Sequence, residues 1–480
     1  MAKTQKLKRQ ISIPGKLAYG VGHSLLSVKN MLFHFFFLFF FSNVLGVPPL
    51  MVVLATTIAL VFDAISDPLM GQISDNFRSD NWGRRHKFML YAIIPTGIAL
   101  ALLFAPPNGL GNTGLFFWML VFLLAVRLGL TVYGVPYYSL GAELSSNYNE
   151  RTNIVSVREF FNGFFNICVF IIGFTVFLPD TPQFEDGMMN KAGYAPFVTT
   201  MAIIGIIGGF VATIGTRHKV KEITKYKDDP RTNWVDTFKE IKKALKLKPF
   251  VWLCFAYSFA LILYGFSSSL SLYLGVYLWQ FSQEAKIVVT LAPFIALLPA
   301  VLLASTLAAV MDKKPAAILF ASIFLFCSAA PYLMFLTGTM PAIESPNVLT
   351  IITLFNGIGF IGLTGVIVVA YSMMADVCDL MELETTKRQE GILYAAFSFA
   401  QKLTFVFGTG FASIALVLIS FPKQKEPSEV ATSAINGLAI SSLAAALIFG
   451  SLAIFCFWRY TLNRAALGSI QKQINARAIT

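Results

Sequence analysis

The sequence predicts an all-α integral membrane protein with about twelve transmembrane helices, arranged as two six-helix halves that repeat one another. Three observations lead there. Of 480 residues, 56% are hydrophobic and only 13% charged, with a mean hydropathy of +0.68, a balance that soluble cores do not need. Apolar runs long enough to cross a ~30 Å hydrocarbon layer recur along the chain. Related segments also end long apolar spans in both halves: YYSLGAEL at Tyr137–Leu144 and AYSMMADV at Ala370–Val377 share Tyr-Ser, then Ala, an acid and an aliphatic residue. Such internal repeats, with binding sites near the midplane, are the pattern of secondary transporters.

The apolar runs place spans at about 17–43, 49–74, 88–106, 115–143, 158–179, 195–216, 250–279, 287–310, 316–337, 347–376, 391–421 and 434–458. Basic residues gather in alternate loops: Arg78, Arg84, Arg85 and Lys87; Arg151; Lys313 and Lys314; Lys387 and Arg388. The other loops carry few, Lys423 and Lys425 being the main exceptions, and both termini are basic. Positive-inside bias then puts both termini in the cytoplasm, as an even number of spans requires. A multi-pass plasma-membrane protein is expected, in the inner membrane if bacterial. The basic start MAKTQKLKRQISIPGK runs into an apolar stretch too long for a cleavable signal peptide.

The expected organisation is an N-terminal bundle at 1–216, a cytoplasmic linker at 217–248, a C-terminal bundle at 249–458 and a cytoplasmic tail at 459–480. In the linker, TNWVDTFKEIKKALK sets Trp234, Phe238, Ile241 and Leu245 on one helical stripe, an amphipathic helix for the inner leaflet. It carries half of the excess positive charge, so the net charge of +12 reflects topology and anionic lipid, not nucleic acid. The turn SDNFRSDNWGRRHK after the second span has a shorter counterpart, MDKKP, after the eighth. The five cysteines show no paired spacing and no histidine partners, so neither disulfide nor metal is indicated. No Gly-rich phosphate loop, HExxH or GxSxG occurs, and an enzyme is not expected.

The chemistry is concentrated in charges inside the membrane. Asp63 and Asp67, in LVFDAISDPLMGQISDN, share one helix face a turn apart. A carboxylate at that depth costs about 2.5–3.5 kcal/mol on insertion scales and normally faces a bundle interior or a wet cavity. Two repel unless a cation or protons neutralise them, so the pair reads as a site for Na⁺ or H⁺; the bland reading is two helix-end residues ahead of Pro68 and Gly71. Four cationic residues, Lys29, Arg127, Arg158 and Lys402, lie in or at the edge of apolar helices. Lys402 reads as a gating or coupling charge, or else as the counter-ion of a structural acid; Arg158 is near enough to a helix end to snorkel. His23, Ser27, Asn30 and His34 form a polar stripe in the first span and are expected to face the cavity, or to be hydrogen-bonded packing residues. The phenylalanines of 35–41 are expected to be lipid-facing and packing surface. Asp75 with Arg84 or Arg85, and Asp376, Asp379, Glu382 and Glu384 opposite Lys387 and Arg388, read as salt-bridge latches closing the cytoplasmic side, or, for the outer members of the second set, as a solvated loop.

These residues resemble those of the glycoside–pentoside–hexuronide:cation symporters of the major facilitator superfamily, over nearly the whole length. KLAYGVG at Lys16–Gly22 is similar to that family's opening. DAISDPLMG at Asp63–Gly71 is similar to its D-A-x-x-D-P-x-x-G core, the most specific match. VPYYSL at Val135–Leu140, the spacing of Arg151 and Arg158, MADVCD at Met374–Asp379, and Lys402 twelve residues beyond Glu390 also align. The resemblance implies the major facilitator fold, a coupling cation (Na⁺ or H⁺) at Asp63 and Asp67 with Ser66 and Thr131 supplying neutral oxygens, and no cofactor. It implies Lys402 near cation and substrate, Arg158 lining the cavity and Tyr138 beside the substrate.

Ser66 stands where the resemblance would put Asn, which bears on Na⁺ in particular, and two substrate-side positions also depart from it. Where melibiose-type members hold sugar hydroxyls with aspartates, this chain has Ser27 and Gly134, while His23, Lys29 and Arg127 add positive charge. The substrate-binding set is therefore expected to be His23, Ser27, Arg127, Gly134, Tyr138, Arg158 and Lys402. The expected function is cation-coupled symport, by alternating access, of a sugar or glycoside-like solute that is anionic, such as a uronide or sulfonated sugar. The alternatives are a lysophospholipid-type symporter and a non-transporting membrane sensor on the same fold. The expected partners are the small-molecule solute and membrane lipid, with a monomeric chain.

Overall fold

The structure is a computed structural model that describes residues 11–77, 79, 82–83, 85–144, 148–219, 245–385 and 390–479. Arg84, Arg388 and residues 220–244 of the linker lie outside the described residues, as do the side chains of Asp75, Arg151 and Lys402.

Among the described residues the α-helices are α1 (Ile13–Val21), α2 (Ser24–Met31), α3 (Pro49–Asn76), α4 (His86–Leu103), α5 (Asn112–Glu143), α6 (Tyr148–Ile172), α7 (Lys191–Gly215), α8 (Lys248–Tyr273), α9 (Gln283–Met311), α10 (Lys313–Leu336), α11 (Pro346–Thr385), α12 (Glu390–Leu418), α13 (Thr432–Arg459) and α14 (Arg464–Ile479). Among the described residues, ten helical stretches are long and apolar enough to cross a membrane. Residues 13–44, helical but jointed, and α12 cover the two other expected spans. Local chemistry sets several starts. Ser12 accepts from the Gly15 N–H (3.3 Å) at α1, Asn190 from Ala192 N–H (3.1 Å) at α7, and Ser282 from Ala285 N–H (3.3 Å) at α9, each satisfying an amide that the first helical turn leaves orphaned.

Two compact units emerge: Met1–Asp229 with Lys423–Glu426, and Pro230–Pro422 with Pro427–Thr480. In the first, α3 packs on α5, α4 on α5 and α7, and α1 and α2 on α6 and α7. In the second, α9 packs on α11, α10 on α11 and α13, and α8 on α12 and α13. Counted by span, these are the same neighbours: second with fourth, third with fourth and sixth, first with fifth and sixth. The repeat seen in the motifs is thus a repeat of packing.

The phenylalanine run bears out the packing part of its expectation and corrects the lipid-facing part. Phe36, Phe37, Phe39, Phe40 and Phe41 are all within 1% of complete burial, so they do not face lipid. The cause is local geometry. After α2 the helix widens into π-helical turns at Leu32–Phe36 and Phe39–Val44. Each extra residue per turn rotates the following side chains onto a new face, so consecutive rings point inward. They meet Phe104, Phe170, Phe174, Tyr194 and Phe197 at centroid distances such as 4.6 Å (Phe40–Tyr194) and 5.4 Å (Phe36–Phe197), tilted except for the stacked Phe40–Phe104 pair.

Candidate functional site

Two helices build the centre of the first unit. Asp63 and Asp67 are a turn apart on α3; Arg127 and Thr131 are a turn apart on α5. Arg127 Nη1 donates to Asp63 Oδ2 (2.5 Å), and Thr131 Oγ1 donates to Asp67 Oδ1 (2.6 Å). Both pairs are 64 residues apart in sequence, so the helices run parallel in register, as two spans separated by one other must. Ser66 Oγ lies 3.4 Å from Thr131 Oγ1. Asp63 and Thr131 are buried, and the Arg127 side chain is 13% exposed. The expected cation-site residues Asp63, Ser66, Asp67 and Thr131 therefore come together. Arg127, expected with the substrate set, is the ion-pair partner of Asp63. A legible signal was its spacing: Arg127 and Thr131 repeat the four-residue step of the aspartates.

A second polar cluster joins the first span to α5 and α6. His23 Nδ1 is 2.8 Å from Ser27 Oγ, and His23 Nε2 is 3.2 Å from the Tyr138 hydroxyl. Ser27 Oγ donates to Asn162 Oδ1 (2.9 Å), Asn162 Nδ2 to Glu159 Oε2 (3.1 Å), and Arg158 to Glu159 Oε1 (2.6 Å). The Arg158 guanidinium lies 5.1 Å from the Tyr138 ring centroid, which closes the ring of contacts. One proton assignment satisfies it: the Ser27 hydrogen goes to Asn162 Oδ1 or to the His23 carbonyl oxygen (3.1 Å), and in either case His23 carries its proton on Nδ1 and accepts from Tyr138 at Nε2. His23 and Ser27 are buried, whereas Tyr138 is 45% exposed. Four expected substrate residues, His23, Ser27, Tyr138 and Arg158, thus form one cluster. Gly134 is buried on the same face of α5, and a Cβ there would meet only Leu26, at 3.4 Å. Glu159 and Asn162 were missed by sequence reasoning, although a carboxylate next to Arg158 and an amide one turn on were legible signals. Lys402 lies on α12 in the second unit, its side chain outside the described residues.

Some members of the two expected latches have partners among the described residues. Arg85 is buried and donates to Ser74 Oγ (2.6 Å), Arg217 stacks on Trp82 (4.0 Å), and His86 Nε2 meets Thr216 Oγ1 (2.9 Å). The side chain of Asp75, like Arg84, lies outside the described residues. In the second unit Asp376 is bridged by Lys313 Nζ at 2.6 and 2.8 Å. Its expected partner Arg388 lies outside the described residues, and the observed cation comes from the MDKKP turn. The reason is three-dimensional: α10 packs along α11, which brings the first residue of α10 beside the end of the long apolar stretch of α11. Lys29 donates to Asn30 Oδ1 (2.8 Å) and lies 5.5 Å from the Phe33 centroid.

Over residues 18–464 the sequence matches the family described as MFS/sugar transport protein. The chain belongs to that family. It is a multi-pass membrane transporter, not an enzyme. Similar curated proteins include an uncharacterised symporter of Synechocystis sp. (26% identical, 96% of each chain), an isoprimeverose transporter of Lactiplantibacillus pentosus (24%, 86% of this chain and 81% of that one) and a putative sulfoquinovose importer of Escherichia coli (24%, 99% and 97%). Among solved structures, a bacterial homologue of the iron transporter ferroportin in its inward-facing state matches with a TM-score of 0.64, covering 93% of this chain and 100% of that one at 12% identity. That likeness concerns the fold alone, which is the major facilitator fold.

Proposed function

We propose that this family member is a cation-coupled symporter for an anionic sugar-like solute, working by alternating access between halves 1–216 and 249–458 in a plasma membrane, the inner one if bacterial, with both termini cytoplasmic. The observation that carries the reading is the ladder of Asp63 and Asp67 on Arg127 and Thr131, a charged and hydrogen-bonded pair at membrane depth. Such groups mark ion pathways by default. Symporters and sugar transporters among the relatives support the solute class, and the putative sulfoquinovose importer supports an anionic one.

In this reading the coupling cation, Na⁺ or H⁺, is held by the two aspartates with the hydroxyls of Ser66 and Thr131. The solute is held by His23, Ser27, Tyr138 and Arg158 beside Gly134, with Arg127 acting through Asp63. Glu159 holds the Arg158 guanidinium when no solute is bound, and an anionic group on the solute competes for it. Cation and solute raise each other's affinity by the same factor.

Thermal stabilisation of the purified protein tests this across uronides, sulfonated sugars, neutral glycosides and lysophospholipids. One anionic class should stabilise, and Arg158→Met should weaken it at least about tenfold, since hydrogen bonds to charged groups contribute about 1.5–3 kcal/mol. Efficient uptake of a neutral galactoside with indifference to every anion would sink the anionic assignment. Binding without flux in proteoliposomes would leave a sensor.

A further inference from the structure

We infer that Arg127 sets the ion selectivity of the carboxylate pair. Its guanidinium stands at Asp63 where a metal cation would stand, so the pair presents one net negative charge and does not take up Na⁺ at ordinary extracellular concentrations. This rests on the reading of Asp63 and Asp67 as the coupling-cation site.

Four observations carry it. Arg127 Nη1 is in direct contact with Asp63 Oδ2 at 2.5 Å, with both side chains largely buried (13% and 9% exposed). The register of the ladder makes this contact structural: the Thr131–Asp67 hydrogen bond one turn along fixes which α5 residue faces Asp63. The guanidinium is also held from the first span, 5.7 Å from the Phe33 ring centroid, and Lys29 lies 5.5 Å from the same ring, which adds a second positive charge to this side. Finally, among the described residues neither Asp63 Oδ1 nor Arg127 Nε has a hydrogen-bond partner. The arginine therefore grips the carboxylate through one point only, and its charge does more here than its hydrogen bonding.

The consequence follows from Coulomb's law. In a medium far less polar than water, a positive charge fixed beside one carboxylate opposes a metal ion at its neighbour one turn away nearly as strongly as a second carboxylate would attract it. Without Arg127 the two aspartates form a doubly negative pair with hydroxyl oxygens beside it, the chemistry a hard monovalent cation needs. A neutral side chain at 127 should thus create a sodium site that the natural chain lacks.

The test is thermal unfolding of the full-length purified protein while NaCl replaces choline chloride at constant ionic strength. The natural chain should show no saturable response to Na⁺. Arg127→Gln and Arg127→Met, either of which suffices if the other folds poorly, should show a saturable rise, with half-maximal Na⁺ at least about tenfold below any response of the natural chain. Adding Asp67→Asn to either variant should remove that rise. A saturable Na⁺ response in the natural chain overturns the inference without recourse to any variant, as does a folded Arg127 variant that ignores Na⁺. Failure of the underlying reading looks different: ion-driven accumulation would then survive Asp67→Asn in the otherwise natural chain.

Discussion

Asp67→Asn is expected to reduce ion-driven accumulation at least about 100-fold while leaving the melting temperature within a few degrees of the natural chain. The amide matches the carboxylate in shape, and its carbonyl oxygen still accepts from Thr131 Oγ1, now 2.6 Å from Asp67 Oδ1, so the α3–α5 contact survives. What is lost is one unit of charge. Two unit charges about 4 Å apart interact by about 4 kcal/mol at an effective dielectric of ~20, more than the ~2.7 kcal/mol that a hundredfold loss requires. Asp63→Asn should behave differently, because it leaves Arg127 buried without its anion. Removing one partner of a buried ion pair typically costs about 3–5 kcal/mol, so this variant should lose both accumulation and thermal stability. Uptake in membrane vesicles under imposed Na⁺ and H⁺ gradients, with melting curves on the same preparations, separates the two. Accumulation that persists in Asp67→Asn would remove the aspartate pair from the mechanism.

Gly408→Val should destabilise the second unit by about 3 kcal/mol or more. Where α12 crosses α8, a Cβ on Gly408 would stand 2.8 Å from Gly265 Cα, 2.8 Å from its carbonyl carbon and 2.8 Å from Phe266 N. All three are backbone atoms, so no rotamer change relieves the clash and the helices must separate. Overpacking of this kind costs about 1–3 kcal/mol even where side chains yield. Close backbone approach is also what small residues provide between membrane helices, where no hydrophobic force drives association. Separation would further stretch the Ser269–Thr409 hydrogen bond of 3.1 Å at the same crossing. Gly163→Ala is the control: nothing lies within 4 Å of a Cβ there, and helix propensity alone favours alanine by about 0.5–1 kcal/mol. A Gly408→Val protein that melts with the natural one would show that the crossing tolerates a wider spacing.

The apolar spans were legible because burial in lipid imposes a length and a composition that chance does not produce, and they recur as helices with loosely matching ends. The intramembrane charges were legible for the same reason: in a run such as LVFDAISDPLMG, a carboxylate has no structural excuse. The first-span stripe of His23 and Ser27 could be read from helical spacing. That spacing fails beyond Met31, where π-helical turns rotate the phenylalanines inward, since a period of 3.6 cannot foretell its own interruption.

Partner choice was not legible. Arg127 reads as one more positive charge until parallel packing of α3 and α5 in a single register sets it against Asp63. That Asp376 meets Lys313 is decided only when α10 packs beside α11. Glu159 and Asn162 become part of a cluster only when α6 lies beside the first span and hands Ser27 an acceptor. By itself, the sequence determined that the chain is a bundle of membrane helices in two repeated halves, and which polar residues the membrane encloses. The tertiary structure alone decided which of those residues neutralise one another, because a single helix fixes which side chains share a face but not which face of another helix they meet.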